Sequence, residues 1–369
     1  MSARELLRRL GPALGLVATW ILFAALCGAK FTSWNNHELM LLQTAVVGTA
    51  AVGATWIIVA GGIDLSVGST IALGTMVVAL LVRAGAPAWL AALAGVATGA
   101  LIGASIGALV VGELGRVAGA ALGIGTGAWL AREHGPWSGV AAGVGVALGA
   151  SVVLRRVLGR VELSPFIVTL GLWGALRGLA KGLGQNQPVY AEGTQAMTTM
   201  EGLRGLMTTG GAAGLPAGVW ILIAVALLLG LAMRSTVFGR HVLAIGSNEE
   251  TARLCGLRVE RTKVLVYVLA LTCAGIAAVL QTAYLSMGDP TTAQGYELKV
   301  IAAVVIGGAS LSGGQGSIAG TLVGALIMTV VDNGCTKLGL DNWVQELVTG
   351  GIIVAAVALD RLRARSSAT

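Results

Sequence analysis

The residues best placed to do work outside a lipid phase lie in "RSTVFGRHVLAIGSNEETARLCGLRVERTK", residues 234–263, which carries six lysines and arginines. Ser247 and Glu250 stand at S-x-x-E spacing, the pattern of a capping box. Glu249 and Glu250 would open a helix, Arg253 would close it, and Gly256 would stop it, each as the helix dipole and the glycine C-cap favour. With Asn248, Thr251 and Ala252 these residues predict a two-turn helix over 248–255. Isolated helices of fewer than about 12 residues are marginal in water, so its chemistry is docking: something must pack against it.

Two further polar stretches interrupt apolar runs. "GGIDLSVGS" places Gly61, Gly62, Asp64 and Ser66 between two hydrophobic segments, and "GGASLSGGQG" places Gly307, Gly308, Ser312 and Gly314 likewise. Both fit G-G-x-x-L-S-x-G. Glycine is permissive in turns, and Asp or Ser can cap the orphan N–H groups of the helix that follows. Non-helical backbone at membrane depth is tolerated only where protein or water covers it. Two matched turns in two halves of a chain suggest pseudo-repeats with broken helices, an arrangement known in transporters.

Catalytic patterns are missing. No Gly-Lys dipeptide occurs, so the chain has no G-x-x-x-x-G-K-[ST] loop and cannot itself hydrolyse ATP. His37, His134 and His241 are scattered, with no H-E-x-x-H, and no G-x-S-x-G is present. Cys27, Cys255, Cys273 and Cys335 show no metal spacing and read as small apolar fillers. The expectation is a chain that is no enzyme and binds neither metal nor cofactor.

The elements that position these stretches are set by composition. Of 369 residues, 56% are hydrophobic and 11% charged, and the mean hydropathy is +0.84. Soluble domains carry about 25% charged residues, so lipid must be much of this chain's solvent. The fold class expected is an all-α, polytopic membrane bundle forming one domain over 1–369. Twelve spans are read near 11–29, 39–60, 65–82, 88–111, 117–131, 137–154, 163–180, 215–233, 264–285, 298–310, 317–333 and 343–360. With the N-terminus inside, sixteen lysines and arginines fall in inside loops and six in outside loops. That asymmetry places both termini in the cytoplasm, reads the net charge of +7 as topological and argues against a nucleic-acid partner. The apolar start reads as the first span, not a cleaved signal.

Glycines recur every fourth residue at 95, 99, 103 and 107, at 119, 123 and 127, and at 316, 320 and 324. Such stripes are close-packing seams between helices. Residues 95–117 and 139–161 also align without gaps at an offset of 44, which suggests a duplicated helical hairpin. A solute path needs weak polar contacts and some aromatic surface, for which Gln43, Thr44, Thr55, Trp56, Gln281 and Asn333 are the candidates on spans. A buried threonine can equally satisfy its hydroxyl on the preceding turn. The polar outer loop over 182–214 is either a docking surface or a plain connector.

"GGIDLSVGS", "AIGSNEETARLCGLRVERTK" and "VIAAVVIGGASLSGGQGSIAGTLVGALIMTVVDNG" resemble the bacterial sugar-importing ABC permeases of the ribose, xylose and arabinose group, with the xylose type most similar. The resemblance runs over about 39–111 and 161–360 and includes "VELSPFIVTLGLWGALRGLA". It implies a permease of the inner membrane that pairs with a second copy and with cytoplasmic ATPase subunits, which bind ATP and Mg. A periplasmic or extracellular sugar-binding protein would deliver the substrate, and the 248–256 stretch would be the coupling helix. Thr251-Ala252 and Cys255-Gly256 stand where the family usually has Ala-Ala and Ser-Gly, and 112–160 reads as an inserted helical hairpin. Two alternatives remain. One is an ABC permease for a branched-chain amino acid or nucleoside. The other is an ion-coupled secondary transporter, disfavoured by the near absence of mid-span acids: Asp64 and Asp332 both fall near predicted span ends.

Overall fold

In hydrocarbon only a helix satisfies every backbone group within a single segment, so apolar runs of this length must coil. The computed structural model describes residues 3–134, 136–159, 161–208 and 214–366. The chain begins with α1 (Ala3–Cys27), α2 (Ala29–Thr32), α3 (Trp34–Val59), α4 (Val67–Arg83) and α5 (Ala88–Val110). There follow α6 (Leu114–His134), α7 (Pro136–Leu158), α8 (Pro165–Leu183), α9 (Thr194–Arg204) and α10 (Ala217–Ser235). The last part holds α11 (Val237–Ser247), α12 (Glu249–Leu254), α13 (Val259–Leu285), α14 (Tyr296–Ile306), α15 (Ile318–Lys337) and α16 (Asn342–Ser366). Each of the twelve expected spans coincides with a helix. Among the described residues, six of them, α3, α5, α8, α10, α13 and α15, are long and apolar enough to cross a membrane.

Helix α14 corrects one expected span. Its 11 residues rise about 16 Å, half of a bilayer core. The missing length is supplied by irregular chain, because residues 286–295 fold back along α4. Gly288 sits against Thr75, Met76 and Ala79, and the carbonyl of Ala293 reaches Gly68. Residues 60–66 form a second interruption. Gly62 lies beside Tyr267 of α13, and Gly74 in the following helix lies beside Ala278. Asp64 and Ser66 are buried, while Gly61 is exposed.

Helix α3 is the centre of the bundle. It is apolar on all sides, as a fully enclosed helix must be, and 94% of its most apolar window is buried. Helices α13, α15, α10 and α14 surround it. The glycine stripes are the seams along which helices close. A Cβ on Gly99 would stand 2.0 Å from the carbonyl oxygen of Leu271, and one on Gly324 would stand 1.9 Å from that of Ala303. Gly103 and Gly107 continue the α5–α13 seam, Gly320 meets Gly307, and Gly119 and Gly123 press α6 onto α7.

Helices α6 and α7 pair mainly with each other and touch the bundle chiefly at the end of α5. The base of this hairpin is closed: the Val161 N–H donates to the Gly112 carbonyl at 3.3 Å, and Glu113 pairs with Arg116 and Arg155 at 3.3 and 3.2 Å. The 44-residue sequence repeat does not carry one structure. Leu114 opens α6 in the first copy, whereas its counterpart Leu158 is the last residue of α7 in the second.

Because the Gly99 contact is backbone against backbone, neither side can yield. Gly99→Val should cost roughly 3 kcal/mol or more through overpacking, read as a lower melting temperature in detergent or a loss of folded protein. Gly125→Ala, whose Cβ meets open space, should melt with the wild type or slightly above it. Equal melting of Gly99→Val and wild type would contradict the seam.

Candidate functional site

The charged stretch folds into two helices, not one. Thr236 caps α11 by accepting the Gly239 N–H at 3.1 Å, and α11 runs on through Ser247. This places Ser247 inside a helix, where its hydroxyl donates back to the Leu243 carbonyl at 2.9 Å. The expected Ser247–Glu250 capping box is therefore not formed. The backbone turns extended one residue later, at Asn248, whose Oδ1 accepts the Thr251 N–H at 2.8 Å. Asn248 ends α11 and begins α12. The stop at Gly256 is as expected: φ is 81°, and Gly256 and Leu257 donate to the carbonyls of Arg253 and Ala252 at 3.0 and 3.1 Å.

Six residues do not hold a helix alone, and α12 is held by its neighbours. Ala252 is buried with Ile245 of α11 and Val259 of α13. Glu249 accepts from Lys263 of α13 at 2.6 Å and from Arg253 at 3.4 Å, and Arg253 also pairs with Glu260. Glu260 and then Glu249 hold the Arg253 guanidinium pKa above its ordinary value. The opposite face is free: Glu250, Thr251 and Cys255 are exposed, and Leu254 is 88% exposed. Among the described residues, this face of α12, with Leu254 at its end, contacts nothing else in the chain that buries it.

The two glycine turns meet beneath this helix. Gly314 N–H donates to the Val59 carbonyl at 2.9 Å, and a Cβ on Gly313 would stand 2.6 Å from the Gly246 carbonyl and 3.0 Å from the Gly61 Cα. Gly246 is tighter still, its Cβ position lying 1.8 Å from the Val59 carbonyl oxygen. The ends of α3 and α11 and the turn after α14 thus touch through bare backbone. Gly61, Gly308, Gly313 and Gly314 all have φ between 74° and 91°. The expected capping roles are corrected here. Asp64 Oδ1 accepts the N–H and hydroxyl of Ser66, both at 2.7 Å, which closes a local turn and leaves the first turn of α4 uncapped by a side chain. Helix α15 is capped by Ser317, which accepts the Gly320 N–H, and not by Ser312.

The six candidate path residues are not brought together. Thr44 satisfies its hydroxyl on the Met40 carbonyl. Thr55 bonds Ala51 and Thr321. Trp56 is fully buried and stacks on Phe238 at 5.4 Å. Asn333 exchanges hydrogen bonds with Asn36 at 2.9 and 3.1 Å, and Gln43 is part-buried on α3. Only Gln281 joins a larger polar group, donating to Thr292 at 2.9 Å beside Arg177. That group contains Glu297, a buried acid at membrane depth that sequence reading passed over. Its position just ahead of an apolar run, in Glu-Leu-Lys, looks like a span boundary because nothing in the sequence reveals that α14 begins half-way across.

The family described as branched-chain amino acid transport system / permease component matches residues 112–357. The ribose import permease protein RbsC of Escherichia coli K12 is 34% identical over 347 residues, which is 94% of this chain and 92% of that protein. RbsC of Bacillus subtilis 168 is 33% identical over 355 residues, covering 96% and 93%. The L-arabinose ABC transporter permease protein AraH of Azospirillum brasilense is 32% identical over 345 residues, covering 93% and 85%. A helical membrane bundle, a short helix on a charged loop and alignments over nearly the whole length agree: this chain belongs to the family of membrane permease components of ABC transport systems.

Proposed function

We propose that this chain is the membrane-spanning subunit of an ATP-driven importer that carries a monosaccharide of the ribose, arabinose or xylose kind into the cell. The names of its relatives support the solute class. The observation that carries the mechanism is the free face of α12, with Leu254 exposed and Arg253 locked to Glu249 and Glu260. In this reading a cytoplasmic ATPase, which binds ATP and Mg, receives that face in a groove. Closure of the ATPase pair pushes α12. Lys263 and Glu260 pass the load to α13, and Gly246 passes it to the end of α3. The interrupted helices at 60–66 and 307–317 then change the side to which the path opens.

The remaining partners belong to the same reading. The permease works as a pair of identical chains in the bacterial inner membrane, with both termini cytoplasmic and 112–160 as an inserted hairpin within one domain. A periplasmic or extracellular binding protein delivers the sugar at the opposite end. Helix α9 lies in this outer loop and is anchored to the bundle through Ala196, Met200 and Leu203. The family description names branched-chain amino acids, and that competing reading expects leucine uptake in place of pentose uptake.

Two measurements test the reading. The double variant Glu250→Ala/Arg253→Ala should leave ATP hydrolysis running while sugar uptake falls roughly tenfold, the size of a typical allosteric coupling. Wild-type uptake by that variant would refute the coupling role. Cys255 is exposed at the end of α12, whereas Cys273 and Cys335 are buried. In a Cys27→Ser background, a membrane-impermeant maleimide should label Cys255 in inverted vesicles and not in intact cells, and the reverse pattern would invert the topology.

A further inference from the structure

Where α4, α8, α14 and the chain over 286–295 meet, a buried carboxylate and a part-buried guanidinium each keep a buried atom without a hydrogen-bond partner. Glu297, in the first turn of α14, is 8% exposed. Its Oε1 accepts the indole N–H of Trp173 at 2.9 Å, and its Oε2 is buried with no hydrogen-bond partner. Arg177 lies one turn along α8 from Trp173. It donates from Nη1 to the carbonyls of Pro290 and Thr292 at 3.0 and 2.6 Å, while its Nη2 is buried and also without a partner. The Thr292 hydroxyl accepts from Gln281 Nε2. The guanidinium thus feels two carboxylates, Glu297 and then Asp289, yet Arg177 Nη2 and Glu297 Oε2 each lack a hydrogen-bond partner.

A structural pair would close this gap. Buried opposite charges recover their desolvation cost only with close geometry and full hydrogen bonding, and an arginine beside a carboxylate ordinarily forms a bidentate fork. Here space is kept for the separated arrangement. A Cβ on Gly68 would stand 2.2 Å from Glu297 Oε2 and 2.4 Å from the Ala293 carbonyl, so the last glycine of the G-G-x-x-L-S-x-G turn makes room for the carboxylate. The first turn of α4 also presents its positive dipole end there. Ionisable residues at membrane depth mark solute or ion paths by default.

We propose that Glu297, Arg177 and Trp173 form the station at which the transported solute is held inside the membrane, closed on itself in this conformation. The two unfilled atoms ask for a ligand that donates to a carboxylate and accepts from a guanidinium at once. A hydroxyl does both, and adjacent hydroxyls of one sugar do so twice. Trp173 is half exposed and offers its ring to the C–H face of the same sugar. Neutral hydroxyls make bonds weak enough to release, whereas a zwitterionic amino acid would form two full ion pairs and be held. The ligand class rests on the monosaccharide reading above, and the station deepens it.

The test uses the complete transporter, with its ATPase and binding-protein partners, in proteoliposomes given labelled D-ribose or L-arabinose. Glu297→Gln and Trp173→Ala should lower uptake about tenfold or more, the worth of hydrogen bonds to a charged group. Melting temperature and ATP hydrolysis stimulated by loaded binding protein should continue near the wild-type level, which a purely structural role would not allow. Uptake within about twofold of wild type in both variants, or loss of melting stability and hydrolysis together with uptake, overturns the station. Should Glu297→Gln fail to accumulate, Trp173→Ala carries the test alone, because its ring is open on one side. Wild-type protein that imports leucine and neither pentose overturns the monosaccharide reading and with it the ligand class, whereas pentose import by wild type and variants alike overturns the station only.

Discussion

A peptide group in hydrocarbon must find its hydrogen-bond partner within the protein, and this constraint governs where the chain can leave the helix. It does so over 60–66, over 286–295 and over 307–317, and in each the chain packs closely against neighbouring backbone. Enclosure requires neighbouring backbones to come closer than side chains allow. Glycine therefore gathers where the interruptions are. Gly61, Gly246, Gly313 and Gly314 join three chain segments with no side chain between them, and Gly68 sits against the carboxylate of Glu297. Without these contacts the irregular segments would expose unpaired N–H and C=O groups to lipid, at several kcal/mol each.

The same constraint explains how a short surface helix gains leverage. Six residues standing on a flexible loop would dissipate any push. Here α12 is cross-linked to α13 through Glu249, Lys263, Arg253 and Glu260, and α11 ends on the carbonyl of Val59. In the coupling proposed above, load applied at Leu254 would arrive at two long helices, one of which is the buried axis of the bundle. Rigid elements joined at glycine contacts move as bodies, because close-packed interiors do not deform continuously.

The parts legible in sequence were those decided locally. Apolar run length located a helix at each of the twelve expected spans, though not the shortness of α14; spacing of four marked the glycine seams, and the order Glu-Glu, Arg, Gly located α12 and its stop. What escaped depends on tertiary position. Whether Ser247 caps or continues a helix is decided by α11, whose own start needs only Thr236 and a short amphipathic run. Whether Asp64 caps α4 or folds onto Ser66 depends on the climb of the chain past α13. The polar path candidates were chosen as residue types on spans, and most of them satisfy their own helix or a single neighbour. Glu297 escaped for the opposite reason. Its depth is set by the shortness of α14, a property of how 286–295 packs and not of the composition around it.

Among the described residues, the hairpin of α6 and α7 meets the bundle chiefly at its base, where the Val161 N–H donates to the Gly112 carbonyl. Geometrically it is an appendix: excising it and resealing the chain there would displace neither α5 nor α8. Length in this part of the molecule is thereby freed from the packing that fixes every other helix, and a lineage could acquire or discard these turns without re-engineering the conduit.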